Sequence, residues 1–367
     1  MFGNVFNNKK VLVTGNTGFK GTWLTQWLRQ LGAEVVGISI SVPTNPSMFE
    51  TLNLRNDIEH YDLDINELER LKEIFVAHKP DFVFHLAAQP IVRQSYIDPV
   101  ETFRTNTLGT AHVMEALRAL ENECIATMIT SDKCYENVEW NWGYRETDRL
   151  GGKDPYSASK GAAELVIHSY IHSFFNTTNT NIKIASVRAG NVIGGGDWAA
   201  SRIVPDTVKS WANEEPVEIR SPRATRPWQH VLEPLSGYLR CAQVLATDGS
   251  NNGEAYNFGP DANQNKSVLE LLTKLSDHWP FKSDSEKVVV QEQSNFHEAG
   301  LLKLSCDKAL ADLSWQPTLE FDQTIEFTAS WYYKYYNEQD SDIIEYTNQQ
   351  IAEYCEQARL KNASWMA

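Results

Sequence analysis

Over its first half the chain alternates short β-rich apolar runs with amphipathic segments, and no other feature limits the fold so tightly. KKVLVTG leads to a helical pattern over 21–31, then AEVVGIS, IEHYDL, a helical pattern over 65–78 and DFVFHLA. A long helical pattern over 99–120, CIATMITS, a further helix over 157–175 and IKIASVRAG complete the series. Strands separated in this way by helices predict an α/β protein with a doubly wound parallel sheet. The strands are almost continuously apolar, which fits burial on both faces. After about residue 190 the pattern loosens into GNVIGGGDW, SPRATRPWQHV and YNFGP, followed by a helical tail over 343–360. The expected organisation is a nucleotide-binding domain over 1–190, joined by a later segment near 230–260. A smaller lobe over 191–367 would bind the rest of the ligand. Ligands on such sheets lie at the carboxyl ends of the strands.

Directly after the first strand comes TGNTGFKG, with Gly15, Gly18 and Gly21 opening a helix. Gly15 allows the tight turn, Gly18 lets backbone approach a pyrophosphate and Gly21 permits close helix packing, while the helix N-terminus supplies amides and a positive dipole. The pattern alone is weak, but its strand-turn-helix setting predicts a Rossmann-type dinucleotide site, with Thr17 and Phe19 inside the turn. The acidic residue expected at the end of the second strand is missing, and Ser39 and Ser41 stand there instead. With no arginine beside them to accept a 2′-phosphate, the expectation is NAD, held through serine hydroxyls. Asp62, next to Leu63 at the end of the third strand, is placed either to accept from the adenine amino group or to cap the following helix.

Tyr156 and Lys160 in DPYSASKG lie four apart at the start of a helix and so share a face. An ammonium nearby would depress the phenol pKa and suit the tyrosine to take a proton from an alcohol as hydride leaves carbon. Alone, this spacing is common by chance. Here it follows a glycine turn and a strand ending in Ser131, Asp132 and Lys133.

Taken in order, TGNTGFKG, HLAAQ at 85–89, TSDKCY, YSASK, SVRAGNVIGGGD and RPWQHV resemble the extended short-chain dehydrogenase/reductase superfamily of nucleotide-sugar enzymes. The resemblance implies that Ser131 and Tyr156 contact the sugar C4 hydroxyl and that Lys160 holds the nicotinamide ribose. It also places Ala87 and Ala88 on the cofactor, and Gln89, Asn191, Arg226 and His297 on the substrate. An acid directly after the serine is similar to the 4,6-dehydratases. Lys133 in the next position, with the Trp-rich ENVEWNWGYRETDRLGGKDPYS and HEAGLLKLSCDKA, is similar to their CDP-glucose branch, whose products lead to deoxy and dideoxy sugars of bacterial surface polysaccharide. In that reading Asp132 is the acid toward the C6 hydroxyl and Lys133 the base at C5, which requires an uncharged lysine. The alternatives are a dehydratase or epimerase for UDP-, dTDP- or GDP-sugars, or a non-catalytic NAD-binding scaffold. Trp140, Trp142, Trp198 and Trp228 could stack on a base or sugar, although core packing is the commoner fate of tryptophan. The family usually dimerises through a four-helix bundle of the helices near 99–120 and 157–175. Val113, Leu117, Leu165 and Ile167 would serve such a homodimer or the core equally well.

A formal charge of −15 argues against a nucleic-acid partner, so an anionic ligand must be held by a few local cations and backbone amides. No apolar run approaches the roughly 18 residues of a membrane span. The five cysteines include no C-x-x-C pair, which fits reduced thiols in a cytoplasmic protein with no metal centre.

Overall fold

Seven strands form one parallel sheet: β1 (Lys10–Thr14), β2 (Glu34–Ser39), β3 (Glu59–Asp62), β4 (Phe82–His85), β5 (Cys124–Ile129), β6 (Ile182–Ala189) and β7 (Ala255–Phe258). Their order is β7-β6-β5-β4-β1-β2-β3. This computed structural model describes residues 1–176, 180–219, 221–261, 264–281, 287–290, 301–338 and 341–367. Chain direction through the sheet reverses about β1, which pairs with β2 on one side and β4 on the other. That reversal opens a crevice above the strand ends, the usual place for a dinucleotide.

The helices that position the site are α1 (Phe19–Gln30), α2 (Leu68–His78), a composite α3 and α4 (Pro155–Tyr170). α2 begins three residues later than its sequence pattern suggests. Asp64 forms a local turn, accepting from the Asn66 N–H at 2.9 Å, and Glu67 is the N-cap. Asp62 therefore caps nothing. α3 runs from Pro99–Phe103 through a wide π-type turn, Arg104–Leu108, into Gly109–Arg118. The wide turn falls where Asn106 points inward, donating to the Gln89 carbonyl at 3.1 Å and to Ser159 Oγ at 2.9 Å. α4 starts cleanly because Asp154 accepts from the Ser157 N–H at 2.9 Å and Pro155 occupies its first turn.

Val113, Leu117 and Ile167 are fully or almost fully buried against the sheet within one chain. They cannot face a partner. Leu165, on the opposite side of α4, is exposed. On the other face of the sheet α5 (Leu232–Thr247) is buried over most of its surface. Two late helices, α6 (Phe321–Asn337) and α7 (Ile343–Leu360), close that side, and Trp365 stacks on Phe2 from the N-terminus at 4.9 Å. Trp198 belongs to this aromatic core, packing on Trp331 and Tyr335. Trp228 is buried too, donating to the Lys266 carbonyl at 3.0 Å, whereas Trp142 is exposed. Among the described residues no helix is long and apolar enough to cross a membrane.

Candidate active site

β5 ends in a single 3-10 turn, Asp132–Cys134, capped by Ser131, whose hydroxyl accepts from the Lys133 N–H at 3.2 Å. The same hydroxyl donates to Asp132 Oδ1 at 2.9 Å, and Asn191 Nδ2 approaches Oδ2 at 3.5 Å. Asp132 is 3% exposed, so this carboxyl sits in a nearly dry slot. Its wall is Gly190, where any Cβ would lie 2.0 Å from Oδ2. Lys133 is half-buried beside it.

Tyr156 and Lys160 come from the first two turns of α4 and are both buried. Burial pushes the Tyr156 phenol up to about 12, partly opposed by a hydrogen bond to Ser131 and by the nearby Arg202 charge. This differs from the expectation that Lys160 would depress the phenol: desolvation outweighs the Ser131 hydrogen bond and the Arg202 charge. Burial also brings the Lys160 ammonium down to about 8, with Glu164 opposing.

Beneath these residues lies a buried ion pair, Arg188 with Glu164, at 2.8 Å. Such a pair is tolerable only when its remaining hydrogen-bonding capacity is satisfied. Here Thr130 and Ser186 also donate to Glu164, and Arg188 donates to the Tyr135 hydroxyl at 2.6 Å and the Glu146 carbonyl at 3.1 Å. The network pins the end of β5 to β6 and α4, fixing Ser131 relative to Tyr156.

The crevice suits a dinucleotide. Gly15 adopts φ +77°, and a Cβ there would lie 2.6 Å from the Ala87 nitrogen. A Cβ at Gly21 would lie 2.1 Å from the Gly15 carbonyl oxygen, so α1 can start this close only with glycine. Gly18 is the N-cap ahead of Phe19, leaving free amides in the first turn. Ser39 is buried, donates to Asn16 Oδ1 at 2.9 Å and accepts from the Thr17 N–H at 3.2 Å. The Thr17 hydroxyl donates to the Ser41 carbonyl at 2.7 Å. Asp62 is exposed and pairs with Arg55 at 3.0 Å, and the Leu63 N–H donates to the Ser39 carbonyl at 2.9 Å. At the end of β4 the Ala87 N–H donates to Thr14 Oγ1 at 3.3 Å, with Ala88 next in the chain.

On the substrate side, the Gln89 amide is committed to its own turn, donating to Thr102 Oγ1 at 2.9 Å and accepting from the Ile91 N–H at 2.6 Å. Asn191 has φ +52°, and its side chain faces Asp132. Arg226 lies on a short strand, Thr225–Pro227, and donates to the Thr225 carbonyl at 2.8 Å. A small cavity beside Asp132 and Gly190 is completed by Gln229, Asp261 and Lys303. His297 lies outside the described residues. Two residues with no assigned role in the sequence reading also reach the site. Lys20, in the first turn of α1, lies in the field of Asp132, Lys160 and Arg202, while Arg202 pairs with Asp197 at 2.8 Å and acts on Tyr156. A lysine next to a helix N-terminus opposes the helix dipole, which was a visible signal.

A sheet with this crossover, a glycine turn and a serine, tyrosine and lysine above the strand ends define a nucleotide-dependent enzyme of the short-chain dehydrogenase/reductase type. The chain belongs to the GDP-mannose 4,6 dehydratase family, whose model matches residues 12–328. It is 44% identical over 354 residues to CDP-glucose 4,6-dehydratase of Salmonella typhimurium, a match covering 96% of this chain and 97% of that protein. Among solved structures, UDP-glucose 4-epimerase of Thermotoga maritima with UDP-glucose superimposes with a TM-score of 0.76 at 22% identity, covering 89% of this chain and 99% of the other. A dTDP-glucose 4,6-dehydratase of Streptomyces venezuelae with NAD bound gives 0.75 at 20% identity, covering 89% and 97%.

Proposed function

We propose that this chain is an NAD-dependent lyase that converts CDP-D-glucose to CDP-4-dehydro-6-deoxy-D-glucose and water. The observation that carries the reading is the buried Asp132 carboxyl, bonded to Ser131 and followed by Lys133, at the strand end that faces Tyr156. An epimerase has no use for an acid and a base there. The near full-length likeness to a CDP-glucose 4,6-dehydratase supports the nucleotide.

NAD, when bound, would supply the acceptor for hydride from C4 and the donor of that hydride to C6, so no net oxidation occurs. Tyr156, hydrogen-bonded to Ser131, accepts the C4 hydroxyl proton as its phenolate, a form that the positive charge of the oxidised nicotinamide would favour over the buried phenol of the cofactor-free chain. The resulting ketone acidifies the C5 proton, which Lys133 removes as the base. Asp132 protonates the departing C6 hydroxyl, which leaves as water, and the lysine returns its proton to C5 as C6 is reduced. The dry slot around Asp132 makes proton delivery to the leaving oxygen more favourable than delivery to bulk water. Glycines 15, 18 and 21 with Thr17 and Phe19 would hold the pyrophosphate of the cofactor, and Ser39 and Asp62 would serve its adenosine half. Asn191 and Arg226 serve the substrate phosphates.

Incubation with CDP-, dTDP-, UDP- and GDP-glucose in deuterated water tests this directly. The base-labile 4-keto product should form from CDP-glucose, carrying deuterium at C5. Formation of a C4 epimer, or preference for another nucleotide, would overturn the reading.

A homodimer belongs to the same proposal. Ile97, just ahead of α3, and Val100 in its first turn are 71% and 76% exposed, and Leu108 on α3 and Leu165 on α4 are exposed apolar residues as well. Exposed apolar side chains on adjacent helices fit a four-helix seam between two copies.

A further inference from the structure

Lys20 breaks three local rules at once. It occupies the first turn of α1, where a cation opposes the helix dipole. It is half-buried, and among the described residues no carboxylate forms an ion pair with it. Two of its charged neighbours, Arg202 and Lys160, are cations, and only Asp132 offsets them. Burial and Arg202 together bring its ammonium down to about 8.

Its placement is fixed by packing on both sides. Phe19, the preceding residue, lies against Gly194, where a Cβ would be 3.2 Å from the Phe19 ring. Trp23, one turn on, donates to the Gly195 carbonyl at 2.9 Å. The first turn of α1 is therefore clamped to the loop that leads to Asp197 and Arg202. Local rules broken together, with no carboxylate paired to the ammonium among the described residues, mark a residue placed for function.

Two roles suit such a cation. It could clamp a pyrophosphate, or it could act on the reacting end of the cofactor. The second fits better, because Lys20 shares its field with Asp132 and Lys160, which serve the chemistry, and the glycine turn already supplies amides for phosphate. We propose that Lys20 is a positioning residue that shifts the bound nicotinamide toward its reduced form. The oxidised ring is a cation and the reduced ring is neutral, so an adjacent ammonium destabilises only the oxidised state. The effect favours withdrawal of hydride from a sugar alcohol, an otherwise unfavourable first step. This inference rests on the NAD-dependent reading above.

Cofactor-stripped protein titrated with NADH by fluorescence, and with NAD by displacement of NADH, tests it without turnover. Lys20→Met should weaken NADH relative to NAD by roughly tenfold, and Lys20→Arg should restore most of the ratio. Equal losses for both cofactors would identify a phosphate clamp and overturn the proposal, as would no change. Should the methionine variant fail to show a cooperative melt, Lys20→Gln gives the same comparison. If the unaltered protein bound neither cofactor, the NAD-dependent reading itself would fall.

Discussion

At the scale of single residues the site depends on one crowded contact. The Asp132 carboxylate lies against the α-carbon of Gly190, held there by Ser131 and Asn191. A methyl group at position 190 would have to displace the carboxylate, because β6 and the 3-10 turn leave the backbone little freedom. Gly190→Ala should lower kcat about a hundredfold while thermal melting and NAD binding stay close to those of the unaltered protein. Normal turnover would show that the carboxylate does not need this position. Asp132→Asn retains the shape but cannot protonate a leaving hydroxyl, so kcat should fall by about 10²–10⁴. The C4 oxidation precedes that step, and reduced cofactor should therefore accumulate in a single-turnover absorbance trace. A trace with no accumulation would place Asp132 before or at the oxidation.

At the scale of elements, α3 and α4 show what periodicity can and cannot settle. Apolar residues recur at helical spacing on both, and the strands and helices of the first half were legible from that pattern. Spacing does not say which apolar side meets the sheet. Val113, Leu117 and Ile167 meet it, while Ile97, Val100 and Leu165 are left outside. Leu165→Glu should therefore convert a dimer to a monomer in light scattering with little change in melting temperature, since it removes no core contact. A dimer that survived this change would move the interface elsewhere. That Ser131, Tyr156 and Lys160 would meet at the strand ends was legible for a related reason: they sit at fixed offsets from element ends. The misplacement of Lys20 at a helix start was visible, but its surroundings were not, and neither was the Glu164–Arg188 pair, because both depend on residues distant in sequence. The rise of the Tyr156 phenol was hidden for the same cause, as burial is a property of the packed chain.

At the scale of the whole molecule, a chain of net charge −15 gathers Lys20, Lys160 and Arg202 around one acid, Asp132, so the cleft is locally cationic in an acidic protein. A second buried charge has a different task. Glu233 on α5 is 1% exposed and accepts from the Thr318 and Leu319 N–H groups at 2.9 and 2.5 Å and from the Tyr354 hydroxyl at 3.1 Å. It thereby joins the sheet-side helix to the approach to α6 and to α7. Burial pushes its carboxyl up from 4.5 to about 7, despite those three donors. A folded pKa above the unfolded one means that the native chain binds the proton more tightly. Stability from this group is present below about pH 4.5 and is lost as pH rises to about 7, a change of about 3 kcal/mol. A glutamine in place of this acid can accept both backbone donors through Oε1 and donate to the Tyr354 oxygen through Nε2. Glu233→Gln should therefore flatten the decline in melting temperature between pH 5 and 8 and melt higher than the unaltered protein at pH 8. Parallel declines in the two proteins would mean that the carboxyl titrates alike in the folded and unfolded chains, and that its hydrogen bonds offset its burial in full.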